Sequence, residues 1–426
     1  VRYHLVARTG HPDFLDLPWD TPLEDWDHER LVEVPTGVHR HVVRTVRYDD
    51  RMYFLKELPQ RYADREYAFL RQLDDEEVPV VEVAGVVRER YAADGEPLAG
   101  VIITKQLEFA LPYRLLFLRR SAEELRDPML DALVDLLVRI HLVGFMWGDC
   151  SLSNTLFRRD AGLLAAYLVD TETGELHVNG LTDGQRAWDV ELARDRCAGE
   201  LYDLMAQGVL SAELDVTAIA DDLQQRYEAL WAEITSEQEF PLDERYRIHE
   251  RLRRLNDLGF DVGELQVDAT SAADGSTGHR LRLKTLVVEP GRHRRRLSQL
   301  TGLVAQEQQA RKMLHDLDGY GLWLREAEGV GYSDQYVARR WLEESFGRVL
   351  DRVPRELRGK REAPEIFVEA LDHWWGRCVE TGDDLDLFET TDEYVDRVLR
   401  HQPDERVAAP TPDEAARIDD GPDTML

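Results

Sequence analysis

The chain has 426 residues, with 84 acidic side chains against 53 basic ones and a formal net charge of -31. At roughly 100–200 residues per domain this length gives two or three domains, and a hydrophobic content of 43% places the acidity on a folded body. A surface this negative repels phosphate backbones, which argues against nucleic acid as a partner. Cys150, Cys197 and Cys378 are widely spaced and form no C-x-x-C pair, so neither a disulfide framework nor a zinc site is supported. Only five basic residues are lysine: Lys56, Lys105, Lys284, Lys312 and Lys360.

In chain order, residues 1–30 are rich in Pro, Asp and Trp and lack the apolar core of a secretion signal. They read as an irregular arm, pinned to a neighbouring surface by Trp19 and Trp26. Residues 31–107 read as strands with one helix. Residues 42–48 and 51–57 flank the turn Asp49-Asp50 as a hairpin. Residues 61–73 set Tyr62, Phe69, Leu70 and Leu73 at helical spacing. Two further strands, residues 81–91 and 98–107, lie either side of the turn-rich AADGEP.

From Ser121 helices dominate. Ser121 followed by Glu124 marks a helix start, and Leu125, Leu133, Leu137 and Ile140 carry that helix to near Gly144. Its apolar stretch, residues 130–147, is broken by Asp131, Asp135, Arg139 and His141. A membrane span needs ~20 apolar residues, so the stretch reads as a buried helix and the expected location is the cytoplasm. A hairpin at residues 155–170 follows, then more helix. Residues 216–400 form a second, mostly helical region, with helices at 218–234, 242–260, 300–317 and 364–380 and one strand pair at 263–269 and 279–290. Residues 279–297 carry seven Arg or Lys against one Glu. The densest part of that run, residues 292–296, is either a solvated helix end or a site for an anionic partner. Residues 401–426 hold seven acids and two arginines with almost no large apolar side chains. Such a segment cannot bury enough surface to offset its ordering entropy and is expected to be disordered.

The chemistry concentrates in residues 139–157, RIHLVGFMWGDCSLSNTLF. Asp149 and Asn154 stand five apart on a loop between a helix and a hairpin, and Asp170 ends the next strand in YLVD. Phosphoryl transfer from a nucleotide needs these residue types. One carboxylate orients the attacking hydroxyl and can take its proton, while a loop amide and a second carboxylate hold Mg²⁺ against the phosphates. A cation on the nucleotide phosphates is also required. Lys56 lies on the second strand of the first hairpin, and Glu66, ten residues later on the following helix, is placed to hold it; Asp64 is also near.

The ordered set Lys56, Glu66, Asp149, Asn154 and Asp170 resembles the protein-kinase-like superfamily. Within it, the chain is most similar to the bacterial aminoglycoside and choline phosphotransferases and the lipopolysaccharide kinases. There the catalytic stretch reads LH..G..HGD....N and the metal strand IDxE; here they are IHLVGFMWGDCSLSN and VDTE. The resemblance covers residues 31–215. It implies an α+β, two-lobed fold: an N-lobe of antiparallel sheet plus helix (31–107) and a helical C-lobe (108–215). An additional mostly helical domain (216–400) follows. The whole chain is similar to an uncharacterised bacterial family in which a kinase-like region precedes a domain of unknown function. The resemblance further implies ATP and Mg²⁺ as cofactors and a small molecule, sugar or lipid precursor as phosphoryl acceptor. It makes Gln106 and Leu107 the hinge that meets the adenine through backbone groups, and Asp189 the brace of the catalytic loop.

The sequence departs from that family in several places. Trp147-Gly148 stands where a histidine or arginine precedes the catalytic Asp, and Ser151 occupies the position of the lysine found in protein Ser/Thr kinases. The nucleotide loop has one glycine, Gly37, and His39, Arg40 and His41 are candidates to take over its contacts. Glu172 either binds a second metal or forms a salt bridge. His141 lies on an apolar helix face and reads as a hydrogen-bonded core residue. The first reading is an ATP-dependent phosphotransferase; the alternative is a pseudokinase, a nucleotide-binding scaffold or regulatory protein without turnover.

Overall fold

The computed structural model describes residues 2–33, 41–241, 244, 246–271 and 279–407. The foreseen hairpin forms from β2 (Val43–Tyr48) and β3 (Arg51–Leu58), with Asp49 in the left-handed region (φ 54°) that Asp tolerates in tight turns. Three more strands complete an antiparallel sheet in the order β1-β4-β5-β3-β2: β1 (Arg2–Ala7), β4 (Val83–Tyr91) and β5 (Gly100–Lys105). The expected irregular arm therefore begins with a strand, because residues 2–7 pair along the open edge of β4. The rest of the arm is irregular as foreseen. Phe14, Trp19 and Trp26 pack with Tyr53, Leu55, Val87 and Ile103 on one face of the sheet.

Side-chain alternation fixes the other face. Tyr53 and Leu55 point to the arm, so Lys56 and Leu58 point the opposite way, toward helix α1 (Gln60–Asp75). The buried stripe of α1 is Ala63, Glu66, Tyr67, Leu70 and Leu73, at helical spacing. Glu66 is thus held inside an apolar stripe, a position a carboxyl keeps only with a partner.

The C-lobe begins with β6 (Ala110–Pro112), α2 (Tyr113–Arg119) and α3 (Ala122–Leu142). Ser121 Oγ accepts from the Glu124 N–H at 3.3 Å and caps α3 as predicted. The helix stops at Val143-Gly144. Gly144 has φ 79°, and a Cβ there would sit 2.4 Å from the His177 carbonyl oxygen, so only glycine fits. Then come β7 (Phe145–Met146), β8 (Thr155–Asp160), β9 (Leu163–Leu168), β10 (Glu175–Leu176) and α4 (Asp183–Ala206). Strands β6, β8 and β9 form one small sheet and β7 with β10 another. Asp170 lies two residues past β9 rather than at its end. The lobes are stitched where Leu168 exchanges backbone bonds with Pro79 and Val81, at 3.0 and 3.1 Å.

Packing crosses the expected boundary at residue 215. Helix α5 (Val216–Thr235) lies on α3 and α4, and Leu223, Tyr227, Leu255 and Phe260 belong to the same core as the C-lobe. Beyond it are β11 (Gln238–Pro241), α6 (Tyr246–Asp257) and the foreseen strand pair, β12 (Phe260–Ser271) and β13 (His279–Pro290). A second core is built by helices α7 (Arg292–Thr301), α8 (Glu307–Glu328), α9 (Asp334–Trp341), α10 (Gly347–Asp351), α11 (Ala363–Thr381) and α12 (Leu387–Arg397). The helix expected over residues 300–317 is two helices, because Gly302 ends α7 in the left-handed region (φ 74°). The chain is an α+β protein, with a two-lobed kinase-like arrangement followed by a largely helical region.

The β8–β9 turn plugs the C-lobe into that helical region. Asp160 accepts from the first-turn N–H groups of α8, Gln308 at 3.1 Å and Gln309 at 2.7 Å. Glu365 of α11 accepts from the Ala161 N–H at 2.9 Å and from Gln309 Nε2 at 2.8 Å. Arg159 forks onto Glu405 at 2.8 Å through two nitrogens, and Arg361 meets the same carboxylate at 3.1 Å. Within the expected disordered tail Glu405 is therefore buried, because the buried Arg361 and its neighbour Arg159 demand its charge; residues 408–426 lie outside the described residues.

Burial pushes the Asp160 carboxyl from its ordinary 3.8 up to about 7, and that of Glu365 from 4.5 up to about 7. Below the folded value each group keeps a proton that the unfolded chain has already lost. Their contribution to stability should therefore fall as pH rises from about 4.5 to about 7 and level off above it. Thermal melts across that window should show the slope in the unsubstituted chain and a shallower one in Asp160→Asn. An equal slope in Asp160→Asn and Glu365→Gln would remove both groups as its source.

Candidate active site

Lys56 is the centre of the site. Its Nζ lies 2.6 Å from Asp170 Oδ2, 3.2 Å from Glu66 Oε2 and 3.6 Å from Glu172 Oε2. The strand face and the helix stripe described above bring Lys56 and Glu66 together, and the Leu168 stitch carries Asp170 to them. Burial and the neighbouring Asp170 push the Glu66 carboxyl up, to about 8, against the pull of Lys56. Lys56 is itself partly desolvated, but Glu66 and Asp170 hold its ammonium above the ordinary value. Three carboxyl groups thus crowd one ammonium, and the crowding is what favours a proton on Glu66.

Asp170 Oδ1 accepts from the Glu172 N–H at 2.8 Å, which fixes the rotamer that offers Oδ2 to Lys56. Glu172, left open between two roles by its sequence, forms a salt bridge. Its Oε2 is 2.9 Å from His41 Nε2, tying the segment beside the nucleotide loop to the segment after β9. Arg65 of α1 donates to the Glu172 carbonyl. Gly37, His39 and Arg40, the other candidates for the nucleotide loop, lie outside the described residues.

The loop bearing Asp149 and Asn154 runs from β7 to β8 and is held at both ends by acids of α4. Fully buried Asp189 accepts from the N–H of Trp147 and of Gly148, each at 2.7 Å. His141 Nε2 is 3.0 Å from the same carboxylate and its Nδ1 is 2.7 Å from the Tyr227 hydroxyl. Burial lowers the His141 pKa, so the ring is neutral, donating through Nε2–H and accepting at Nδ1. It is a satisfied core histidine, as its sequence position suggested. At the far end Glu200 accepts from Leu152 N–H at 2.6 Å and Ser153 N–H at 3.0 Å. Trp147 fills the place of the missing histidine or arginine. It is fully buried, and its Nε1–H donates to the Asp170 carbonyl at 2.9 Å, joining the two loops. Cys150 is fully buried and its thiol is pushed well up by burial, which leaves it unreactive.

Asn154 Nδ2 donates to the Asp149 carbonyl at 3.1 Å, so these two predicted residues are in contact. The Asp149 carboxylate faces Arg196 of α4, with Oδ1 and Nη1 2.7 Å apart. Burial raises the Asp149 pKa and Arg196 opposes the rise. No group of three or more His, Cys, Asp or Glu placed for a metal occurs among the described residues. Mg²⁺ commonly takes one or two protein oxygens and completes its shell with phosphates and water. Asp170 together with the Asn154 side-chain oxygen supplies donors of that type.

Of the two residues expected at the hinge, one has its backbone donor taken. The Gln106 N–H donates to the Met52 carbonyl at 2.9 Å and is not open to a ligand. The Leu107 N–H donates to nothing among the described residues and is open to a ligand. Next to it, the Phe109 N–H donates to the Arg406 carbonyl at 3.3 Å, and Arg406 Nε meets Glu108 at 3.3 Å. Arg196, Glu200, His41 and Arg406 were not singled out for these contacts by sequence. Glu200 alone left a signal: eleven residues after Asp189, about 20° round the helix, it shares the face of α4 that turns to the loop.

Comparisons with known proteins match two separate stretches of the chain. Residues 37–192 match the model of the Lipopolysaccharide kinase (Kdo/WaaP) family. Residues 229–399 match a Domain of unknown function (DUF4032). Among solved structures, one described as WaaP in complex with acyl carrier protein is similar at 17% identity, covering 54% of this chain and 99% of that one with a TM-score of 0.34. No curated protein matches. The chain thus carries a kinase-like region followed by a C-terminal region similar to that domain of unknown function.

Proposed function

We propose that the protein is an ATP- and Mg²⁺-dependent phosphotransferase that moves the γ-phosphate to a hydroxyl of a small molecule, sugar or lipid precursor. The observation that carries this reading is the convergence of Glu66, Asp170 and Lys56 beside the loop of Asp149 and Asn154, inside the segment that matches the lipopolysaccharide kinase model. Lys56 holds nucleotide phosphates and Glu66 orients Lys56. Asp149 aligns the acceptor hydroxyl and takes its proton. Asp170 and Asn154 hold the metal, which when bound neutralises phosphate charge. The backbone of Leu107 meets the adenine. The acceptor must displace Arg196 from Asp149 to reach it, so Arg196 shields the base until an acceptor enters. A cytoplasmic site of action goes with this reading; among the described residues no helix is long and apolar enough to cross a membrane.

The Asp149–Arg196 pair favours a second reading, a pseudokinase whose loop is locked. Thermal melts divide the readings in part. ATP with Mg²⁺ at about 100 times its Kd should stabilise the chain by about 2.7 kcal/mol, and ATP with EDTA by distinctly less. No shift with Mg²⁺-ATP would count against nucleotide binding of either kind. An ATP-consumption screen over sugar and lipid-precursor hydroxyls then separates enzyme from scaffold.

A further inference from the structure

We propose a second ligand site, in the helical C-terminal region: a cleft for an organic phosphate that carries a flat ring, the nucleotide class being the simplest example. A cavity of about 1240 Å³ opens between α7, α8 and α11, and none of the residues of the kinase-like site lines it. One side is cationic. Arg292 and Arg296 come from α7 and Lys312 from α8, each with a large part of its side chain in water. This is the basic run that sequence left undecided between a solvated helix end and an anion site. Each cation rests on a surface carboxylate: Arg292 on Asp261, Arg296 on Asp334 at 2.5 Å and Lys312 on Asp372 at 2.7 Å. Exposed pairs of this kind are weak, and a phosphate offering several acceptor oxygens can replace the carboxylate partner.

The other side is aromatic. Trp374 and Trp375 of α11 and Trp323 of α8 line it, and Trp323 and Trp375 are 56% and 64% exposed. Indole faces left in water beside cations are what a flat ring and its attached phosphates would cover together. Gly319 lies on the floor contributed by α8, where a Cβ would meet nothing within 4 Å. Asp257, Asp261, Asp316, Asp318 and Asp372 also line the cleft, which balances its five Arg and Lys in formal charge. With a chain charge of -31, that balance excludes a long polyanion and leaves room for a small one held by local cations.

The test is calorimetry on the full chain carrying Lys56→Met, with metal-free ADP, pyrophosphate and adenosine as separate ligands. ADP should bind at one site. Arg296→Ala with Lys312→Ala should weaken it at least about tenfold, and Trp375→Ala by about tenfold. Pyrophosphate and adenosine should each bind more weakly than ADP. These three side chains are exposed, so their substitution leaves the fold in place. A second measurement avoids Lys56→Met: in the chain with Lys56 intact, the ADP stoichiometry should fall by one site when Arg296 and Lys312 are replaced. No ADP binding in the Lys56→Met chain together with an unchanged stoichiometry overturns the site. Pyrophosphate binding as tightly as ADP, or indifference to Trp375→Ala, overturns the ring. Failure here leaves Mg²⁺-dependent ATP stabilisation untouched, so it is distinct from failure of the kinase-like reading.

Discussion

Asp149→Asn should remove turnover and leave Mg²⁺-dependent nucleotide binding in place. Lys56, proposed for the phosphates, and Asp170, proposed for the metal, do not touch the Asp149 side chain, and Asn154, the other metal residue, bonds to the Asp149 backbone carbonyl. Asparagine keeps the volume and one acceptor oxygen at 149, and the loop bond from Asn154 goes to the Asp149 backbone, so the loop has no reason to move. What is lost is the group that can take a proton. General-base catalysis contributes about 10²–10⁴-fold, so kcat in an ATP-consumption assay should fall by that factor while the Mg²⁺-ATP melting shift persists. The Asp149–Arg196 ion pair is also lost, but Arg196 is about half exposed and such pairs contribute about 0–1 kcal/mol. The melting temperature should hardly change. Full turnover by Asp149→Asn would remove Asp149 as the base, and loss of the nucleotide shift would mean the loop does more for binding than its bonds indicate.

What could be read from the sequence follows from the range over which each residue acts. Lys56 and Glu66 were legible because strand alternation and helix periodicity each fix a face within a few residues. The turn Asp49-Asp50 and the cap Ser121 are local for the same reason, and so is the spacing of Asp149 and Asn154. Residues set by pairing across long separations were not legible. The strand of residues 2–7 is defined by an edge about eighty residues away, and its own composition gives only a short alternation. Glu405 looked like one acid of a solvated tail, yet its partners Arg159 and Arg361 make it one of the most buried acids in the described chain. That the Gln106 N–H is already taken could not be read either, because the end of β5 depends on what β3 offers opposite it: the Met52 carbonyl. Charge explains the remainder. An acidic total of -31 says nothing of where single carboxylates go, and those at 66, 170 and 172 gather on one lysine.

Asp189→Ala should do the reverse of Asp149→Asn, lowering stability first and activity through it. The Asp189 carboxylate is fully buried and takes two backbone N–H groups and the His141 ring. Alanine leaves three donors without partners in a place that water does not reach. An unsatisfied buried donor costs about 1–3 kcal/mol, and three such donors are left here. Denaturant midpoints should record a loss of that size. Asparagine at 189 recovers only part of it, because its amide NH₂ would face a backbone N–H where the second carboxylate oxygen now accepts. The expected order of stability is therefore native chain, Asp189→Asn, Asp189→Ala. The loop ending at Trp147-Gly148 also carries the bond from Trp147 Nε1 to the Asp170 carbonyl, so a loosened loop reaches Asp170. Asp189→Ala should consequently weaken the Mg²⁺-ATP melting shift that Asp149→Asn retains. If Asp189→Ala matches the native chain in both midpoint and nucleotide shift, the brace carries no load and the loop is held from the Glu200 end. The two variants together separate a residue that performs a proton transfer from one that only sets the loop from which it is performed.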